Sequence, residues 1–360
     1  MFFSSPEEMD AIRGTVYDRP PVTFDPVLGY RWNPGFRVVR VANGEIVFDT
    51  RAKINNEGFH CSFDYHREKK GGRTFRFIVL GDSFTNDLAV NEAWPETLHY
   101  LLQSRAEHGI DIEVFGMPTD GGGLPNWYTT LKEYLLPHFE FDGLIIADWG
   151  DDLARRWVVS HSDNESMYWG SVDFKDRPTS LEEVESNLSN MTKLYEIRTG
   201  PEIEELVRKL KEHASPKHLS PEDCEEKVEL APDNYEFSPS LFAERYSQEH
   251  FDMLAEMVEL CREHEKVMTY SPLPGRSEVL ELIKNPDNLL YRQAQGEGLC
   301  RHFPIHYFDG CSVLNHLSPQ SLIDLYWLKY DGHWSKAASL QYALALADWM
   351  IAEAIIIGKS

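Results

Sequence analysis

A repeated strand–loop–helix plan is the feature of this sequence that most restricts its fold. The apolar run Phe75–Leu80 predicts a buried strand, ends in the tripeptide Gly81–Ser83, and is followed by a helical pattern over Trp94–Ser104. A second unit repeats the plan, with a strand at Ile110–Phe115, a glycine-rich loop and a helix at Asn126–Leu136. Strands that alternate with helices indicate βαβ crossovers and therefore a parallel sheet.

Three further apolar runs complete the predicted sheet, namely Phe141–Ala147, Lys266–Tyr270 and Ile305–Phe308. The later runs are each preceded by a helical stretch, as a crossover between parallel strands requires. We therefore predict an α/β fold, a three-layer α/β/α sandwich around a mainly parallel five-stranded sheet, over residues 71–360.

Residues 1–70 lie outside this pattern and are rich in turn-forming residues. Within them, the runs Val38–Val41 and Ile46–Phe48 flank Asn43 and Gly44. This dipeptide accepts the positive φ values of a two-residue turn, so it predicts a hairpin. We expect a small β-rich N-terminal leader.

A second segment, at about residues 153–265, also interrupts the alternation of strands and helices. It is mostly charged and shows helical periodicity in three stretches, namely Ser180–Ile197, Glu202–His213 and Pro239–Glu265. We therefore predict a helical insertion within the α/β domain.

The charge balance argues against nucleic acid as a partner. Asp and Glu number 59 against 35 Lys and Arg, which gives a formal net charge of −24. Such an excess of carboxylates repels nucleic acid unless a basic patch overrides it, and the sequence has no such run. No signal-peptide pattern or membrane-span window of about 20 apolar residues is visible, so we expect a cytoplasmic protein without a membrane span.

The sequence implies neither a metal nor a cofactor. The five cysteines are widely scattered, and the nearest approach to a metal site combines Cys300, His302, His306 and Cys311. Their spacing does not match a zinc motif, so scattered structural residues are the simpler interpretation. The glycines at 121–123 lack the lysine and the spacing of a phosphate-binding loop.

The most distinctive local feature is the serine after the first strand of the predicted sheet. Ser83 follows an apolar run and a glycine, and in an open α/β sheet ligands bind at the carboxyl ends of the strands. A serine at that place can act as a nucleophile. It can equally cap the helix that follows.

A serine nucleophile needs a base, and the base needs a group that orients it. The C-terminal segment that contains Asp331 and His333 offers both, since His333 could accept the proton of Ser83 while Asp331 holds the imidazole. The same segment also fits a turn before the terminal helix, with His333 on the surface.

Acyl transfer also needs donors for the oxyanion that forms on the substrate carbonyl. The loop Asp120–Gly123 follows the second strand, and its glycines would let backbone N–H groups approach a ligand closely. The alternative interpretation of these glycines is a flexible turn.

Four short motifs together resemble those of the SGNH (GDSL-type) hydrolases. They are GDSF at 81–84, DGGG at 120–123, ADWGDDL at 147–153 and DGHW at 331–334, and they occur in the family's order. The segments DPVLGYRWNPG and KINNEGF also resemble the leader of bacterial members. The resemblance covers roughly residues 22–152 and 266–352, and it implies the flavodoxin-like fold of that family.

The resemblance implies roles for individual residues. Ser83 would be the nucleophile, His333 the base and Asp331 the group that orients it, while the N–H groups of Ser83 and Gly121 would form the oxyanion hole. The family's remaining oxyanion donor is an Asn, and Asp151 stands at that position here. An ionised Asp accepts hydrogen bonds and cannot donate one, so either Asp151 is protonated, another donor substitutes, or the activity is weakened or redirected.

We therefore expect a serine esterase or deacylase that acts on a small acyl ester, such as an O-acetylated carbohydrate or metabolite. An acyltransferase that uses the same acyl-enzyme is one alternative, and a non-catalytic binding protein, suggested by Asp151, is another. The sequence identifies neither the substrate-binding residues nor the oligomeric state. Aromatic residues such as Tyr168 and Trp169 could stack on a sugar, although aromatic residues lie more often in the core.

Overall fold

The computed structural model describes residues 14–71, 73–213, 219–224, 226–232 and 234–355. The strands, in chain order, are β1 (Gly14–Tyr17), β2 (Val22–Asp25), β3 (Gly29–Trp32), β4 (Arg37–Ala42), β5 (Glu45–Arg51), β6 (Thr74–Gly81), β7 (Asp111–Gly116), β8 (Gly143–Trp149), β9 (Trp157–Ser162), β10 (Ser166–Val172), β11 (Thr192–Ile197), β12 (Val267–Leu273) and β13 (His306–Tyr307).

The α-helices vary from a single turn to 17 residues. In chain order they are α1 (Ser83–Asn86), α2 (Trp94–Arg105), α3 (Leu124–Thr129), α4 (Leu136–His138), α5 (Leu181–Asn187), α6 (Gly200–His213), α7 (Pro239–Arg245), α8 (Gln248–Glu263), α9 (Arg276–Lys284), α10 (Tyr291–His302), α11 (Pro319–Ser321) and α12 (Lys336–Ala352). Among the described residues, no helix combines the length and apolarity needed to cross a bilayer.

A five-stranded sheet in the order β13-β12-β8-β6-β7 forms the centre of the α/β domain. All its neighbouring strands pair in parallel. The predicted parallel sheet is thus confirmed, and β6, which leads to Ser83, lies inside it between β8 and β7. The predicted strand ends differ from the observed ones by one to three residues.

Alternate side chains of β6 enter different hydrophobic cores, one on each face of the sheet. Ile78 and Leu80 join the core that includes α3 and α8, whereas Phe77 and Val79 join the core that includes α2 and α12. Because successive residues of a strand point to opposite faces, a continuous apolar run is what a strand buried on both sides requires. The predicted three-layer α/β/α arrangement is therefore confirmed.

The N-terminal segment forms the predicted hairpin. Strands β4 and β5 pair antiparallel, and the turn between them consists of Asn43 and Gly44, with φ values of 50° and 72°. Positive φ at both central positions is characteristic of the two-residue hairpin turn that matches the twist of the strands.

The predicted helical insertion is only partly helical. Its residues include β9, β10 and β11, and the last six residues of the stretch predicted as helix over Ser180–Ile197 form the strand β11. These strands join the N-terminal ones in a six-stranded sheet of order β5-β4-β1-β11-β10-β9. The prediction was wrong here because strand formation depends on pairing with a partner, which local periodicity does not reveal. Val16 of β1 pairs in parallel with Glu196 of β11.

The hairpin turn generates a test of stability. We expect Gly44→Ala to lower the free energy of unfolding by about 1–2 kcal/mol, because a Cβ is disfavoured at left-handed φ. Asn43→Gly is the matched control and should cost little, since glycine accepts the φ of 50° found there. Urea titration of both variants measures the difference, and equal stabilities would contradict this account of the turn.

Candidate active site

Ser83 lies on a tight turn between β6 and α1. Asp82 caps the helix, since its Oδ1 accepts a hydrogen bond from the Phe84 N–H at 2.9 Å. A Cβ at Gly81 would collide with the Thr85 side chain and lie 3.0 Å from the Ala147 carbonyl oxygen, so only glycine fits before the turn. The sequence thus presents Ser83 at the carboxyl end of a buried strand.

The structure brings Ser83, His333 and Asp331 into one hydrogen-bonded chain. Nε2 of His333 lies 2.8 Å from Oγ of Ser83, and Nδ1 lies 2.5 Å from Oδ1 of Asp331. A neutral imidazole that donates from Nδ1 to the carboxylate can accept the serine proton at Nε2. The sequence interval of 250 residues between Ser83 and His333 is closed by the fold.

Packing and backbone contacts restrict the imidazole further. The ring of His333 stacks on Phe84 with centroids 4.8 Å apart, and Phe84 also stacks on Trp149 with centroids 4.4 Å apart. The N–H of His333 also donates to Oδ1 of Asp331 at 2.9 Å. The residue after Ser83 therefore supports the imidazole ring of His333.

Asp331 and His333 stabilise each other's charged forms. Burial opposes ionisation of Asp331, but the hydrogen bond and the charge of His333 hold the pKa of that carboxyl at about 2. Burial likewise opposes the imidazolium of His333, yet the hydrogen bond and charge of Asp331 raise its pKa above 6.5. This is the electrostatic arrangement that a general base near neutral pH requires.

Gly121 lines the same cavity as Ser83. Its φ of 69° favours glycine, and a Cβ there would lie 3.1 Å from Nε1 of Trp169. Within the described ranges, the N–H groups of Ser83 and Gly121 have no acceptor in the protein. Both residues line the same cavity, so both donors remain available to a ligand.

This cavity has a volume of about 350 Å³ and lies between the end of the parallel sheet and the six-stranded sheet. Its walls are largely aromatic and aliphatic, and Trp169 is one of them, whereas Trp127 is buried in the core. The lining residues are Thr15, Tyr17, Tyr30, Trp32, Val38, Arg40, Phe48, Ser83, Asp87, Leu88, Ala89, Asp120, Gly121, Met167, Trp169, Leu194, Tyr195, Asp331 and His333.

No protein-family model matches the chain, and no curated protein matches it in sequence. Among solved structures, a protein of the G-D-S-L family from Desulfitobacterium hafniense is 14% identical over 76% of this chain and 98% of its own, with a TM-score of 0.38. A lipase/acylhydrolase from Enterococcus faecalis is 12% identical over 78% of this chain and 96% of its own, with a TM-score of 0.37.

An alpha/beta hydrolase enzyme from the metagenome of Lake Arreo, Spain, is 11% identical over 79% of this chain and 97% of its own, with a TM-score of 0.37. The fold of this chain rests on the strand order described above.

The structure does not place Asp151 in this site. Its side chain is 76% exposed, pairs with Nε of Arg155 at 3.3 Å, and is not among the residues that line the cavity. The expected conflict between an ionised Asp151 and the oxyanion therefore does not arise. Position 151 nevertheless supplies no oxyanion donor, so the non-catalytic binding protein suggested by the missing Asn stays a prediction.

The sequence assigned no role to three polar residues around the site. Arg155 pairs with Asp82 beneath the serine turn. Asp87 and Asp120 line the cavity, and burial raises the pKa of each to about 7, with Asp82 contributing at Asp120. Asp120 begins the DGGG motif, whereas Arg155 and Asp87 were part of no motif, and only the folded chain brings them to the serine.

The outward position of Asp151 generates a prediction for activity. We expect Asp151→Asn to change kcat/KM for an activated ester by less than about twofold, as for an exposed residue outside the site. Asp331→Asn is the positive control and should lower it by a factor on the order of 10³–10⁴, because an amide favours the wrong tautomer of the base. A large effect of Asp151→Asn, in either direction, would contradict the placement.

Proposed function

We propose that the protein is an SGNH-type serine esterase that forms an acyl-enzyme at Ser83. The observation that carries the proposal is the pair of hydrogen bonds made by His333. Its Nε2 lies 2.8 Å from Oγ of Ser83, and its Nδ1 lies 2.5 Å from Oδ1 of Asp331. It lies at the carboxyl end of β6, beside two backbone N–H groups without a protein acceptor. These are the parts that acyl transfer to serine needs.

In this mechanism Oγ of Ser83 attacks the ester carbonyl carbon while its proton passes to Nε2 of His333. The carbonyl oxygen becomes an oxyanion and accepts hydrogen bonds from the N–H groups of Ser83 and Gly121. The imidazolium then protonates the leaving alcohol as the C–O bond breaks. Water repeats the sequence on the acyl-enzyme, which releases the carboxylic acid and restores Ser83.

The acyl group of the substrate would occupy the cavity described above. A volume of about 350 Å³ exceeds what an acetyl group fills, and the walls provided by Trp32, Phe48, Met167 and Trp169 are apolar. Burial of each methylene against such walls contributes about 0.8 kcal/mol. We therefore propose an apolar acyl group longer than the small acyl predicted from the sequence.

The charges of the cavity favour a neutral substrate. Asp87, Asp120 and Asp331 line it, and of the described lining residues Arg40 alone is a lysine or arginine. Nε of Arg40 lies 3.2 Å from Oδ2 of Asp331, so its charge is already balanced. An anionic group on the substrate would meet carboxylates without a free cation.

We infer that two parts of the chain have different roles in this function. The five-stranded parallel sheet and its helices would form the SGNH-like domain, while strands β1, β4 and β5 and strands β9, β10 and β11 would form the sheet that covers the site. A covered acyl-enzyme restricts access of water, which favours acyl transfer to an alcohol as the second candidate function. Ester formation with an added alcohol, at the expense of free acid, would indicate transfer.

The first test is covalent labelling. A fluorophosphonate probe should add once to the wild-type protein, and intact-protein mass spectrometry should detect no adduct on Ser83→Ala and a strongly reduced one on His333→Ala. Circular dichroism of each variant controls for folding. A folded wild-type protein that acquires no adduct would overturn both the esterase and the transferase.

The second test is acyl-chain preference. We expect kcat/KM for p-nitrophenyl octanoate to exceed that for the acetate by at least about tenfold, from burial of the added methylenes. Leu194→Trp adds bulk to the cavity wall at a half-exposed position and should reduce this ratio. A wild-type preference for acetate would instead favour the small acyl ester predicted from the sequence.

A further inference from the structure

The β4–β5 hairpin contacts the loop that carries Asp331 at two places. Near the turn of the hairpin, the carboxylate of Glu45 accepts hydrogen bonds from Nζ of Lys329 at 2.8 and 2.9 Å and from the hydroxyl of Tyr330 at 3.1 Å. Further along β4, Nε of Arg40 lies 3.2 Å from Oδ2 of Asp331. The N-terminal segment is therefore attached directly to the segment that carries the acid and the base.

The two oxygens of Asp331 have different partners. Oδ1 accepts from the backbone N–H and from Nδ1 of His333, whereas Oδ2 faces Arg40. The Asp331 side chain is only 6% exposed, so water does little to balance the charge of its second oxygen. Nε–H of Arg40 is not directed at Oδ2, so the two groups attract through charge at ion-pair distance.

Arg40 is itself held in place by the sheet. Its NH1 donates to Oγ1 of Thr15 on the neighbouring strand β1 at 3.1 Å. Thr15, Arg40 and Asp331 all line the cavity, so the guanidinium lies at the boundary between the covering sheet and the triad.

Several carboxyl groups act on His333, and two of them, Asp87 and Asp120, are partly protonated at neutral pH because burial raises their pKa values to about 7. Asp331, Asp82 and Asp87 each act on the imidazole, and Asp120 lies close enough to interact with it. A cluster of acids stabilises the imidazolium and so withdraws the base from catalysis at neutral pH. A cation beside Asp331 opposes this effect.

We propose that Arg40 is a positioning residue for the catalytic carboxylate, one that balances the charge at Oδ2 of Asp331 and leaves Oδ1 to orient the imidazole. The proposal rests on the proposed function. It makes the N-terminal hairpin a working part of the active site, because a strand outside the α/β domain supplies the counter-charge of the triad.

The test measures the rate of fluorophosphonate labelling of Ser83 as a function of pH, which needs no knowledge of the natural substrate. Labelling requires neutral His333, so the rate should fall as pH decreases through a midpoint above 6.5 in the wild-type protein. In Arg40→Met the uncompensated Asp331 stabilises the imidazolium more strongly. We expect the midpoint to rise by about one pH unit, with labelling about tenfold slower below it.

Variants that separate charge from packing accompany this measurement. Arg40→Lys keeps the cation and should keep the wild-type midpoint, even where the maximal rate falls because the guanidinium fork is lost. Arg40→Gln removes the charge with a polar side chain, and it replaces the Met variant if thermal unfolding shows that the latter does not fold. Arg51→Met removes an exposed cation of the same hairpin and should leave the midpoint unchanged.

The outcomes distinguish this proposal from the proposed function. A folded wild-type protein that is not labelled would overturn the function itself. Normal labelling of the wild type together with an unshifted midpoint in both Arg40→Met and Arg40→Gln would overturn the role of Arg40 alone. A midpoint that rises in Arg40→Lys as well would assign the effect to packing and would also overturn the role of its charge.

Discussion

The geometry of the site depends on the contacts that the guanidinium of Arg155 makes with three loops. Its NH1 lies 3.2 Å from Asp82 in the serine turn and 2.7 Å from Asp152 in the loop after β8, and it donates to the carbonyl oxygen of Gly122 at 3.1 Å in the loop after β7. Burial, followed by the charge of Asp82, raises the pKa of Asp152. Without a shared cation these buried carboxylates would repel each other, and loss of one partner of such a pair typically costs 3–5 kcal/mol. The side chain of Arg155 thus links the turn that carries Ser83, the loop after β7 and the loop after β8.

The covering sheet determines what reaches that site. Its strands come from the N-terminal segment and from the segment between β8 and β12, and they meet where β1 pairs with β11. Trp32 and Phe48 come from the first segment, and Met167 and Trp169 from the second, so neither alone encloses the cavity. In the proposed function, the specificity for the acyl group would therefore depend on segments outside the three-layer sandwich.

The sequence predicted those features that depend on the residues of one short segment. The strand before Ser83 is a continuous apolar run buried on both faces, and the Asn43-Gly44 turn follows from the φ values those residues accept. Strands β9, β10 and β11 of the covering sheet were missed, and β11 was predicted as helix because its partner in β1 lies about 180 positions away in the sequence. The placement of Asp151 in the oxyanion hole was an expectation from motif alignment, and a motif does not state where a side chain points. Arg155, four residues later, holds that carboxylate outside the cavity.

The pairing of β1 with β11 also bears on how the chain is made. During synthesis the antiparallel strands β1, β4 and β5 emerge early, yet the parallel partner of Val16 is Glu196. Until that residue leaves the ribosome, β1 presents an unpaired edge of backbone N–H and C=O groups, which is a template for association with other chains. The time for which this edge stays unpaired is lengthened further because pairing between residues distant in sequence forms slowly. Nascent chains that end before residue 192 therefore carry this unpaired edge.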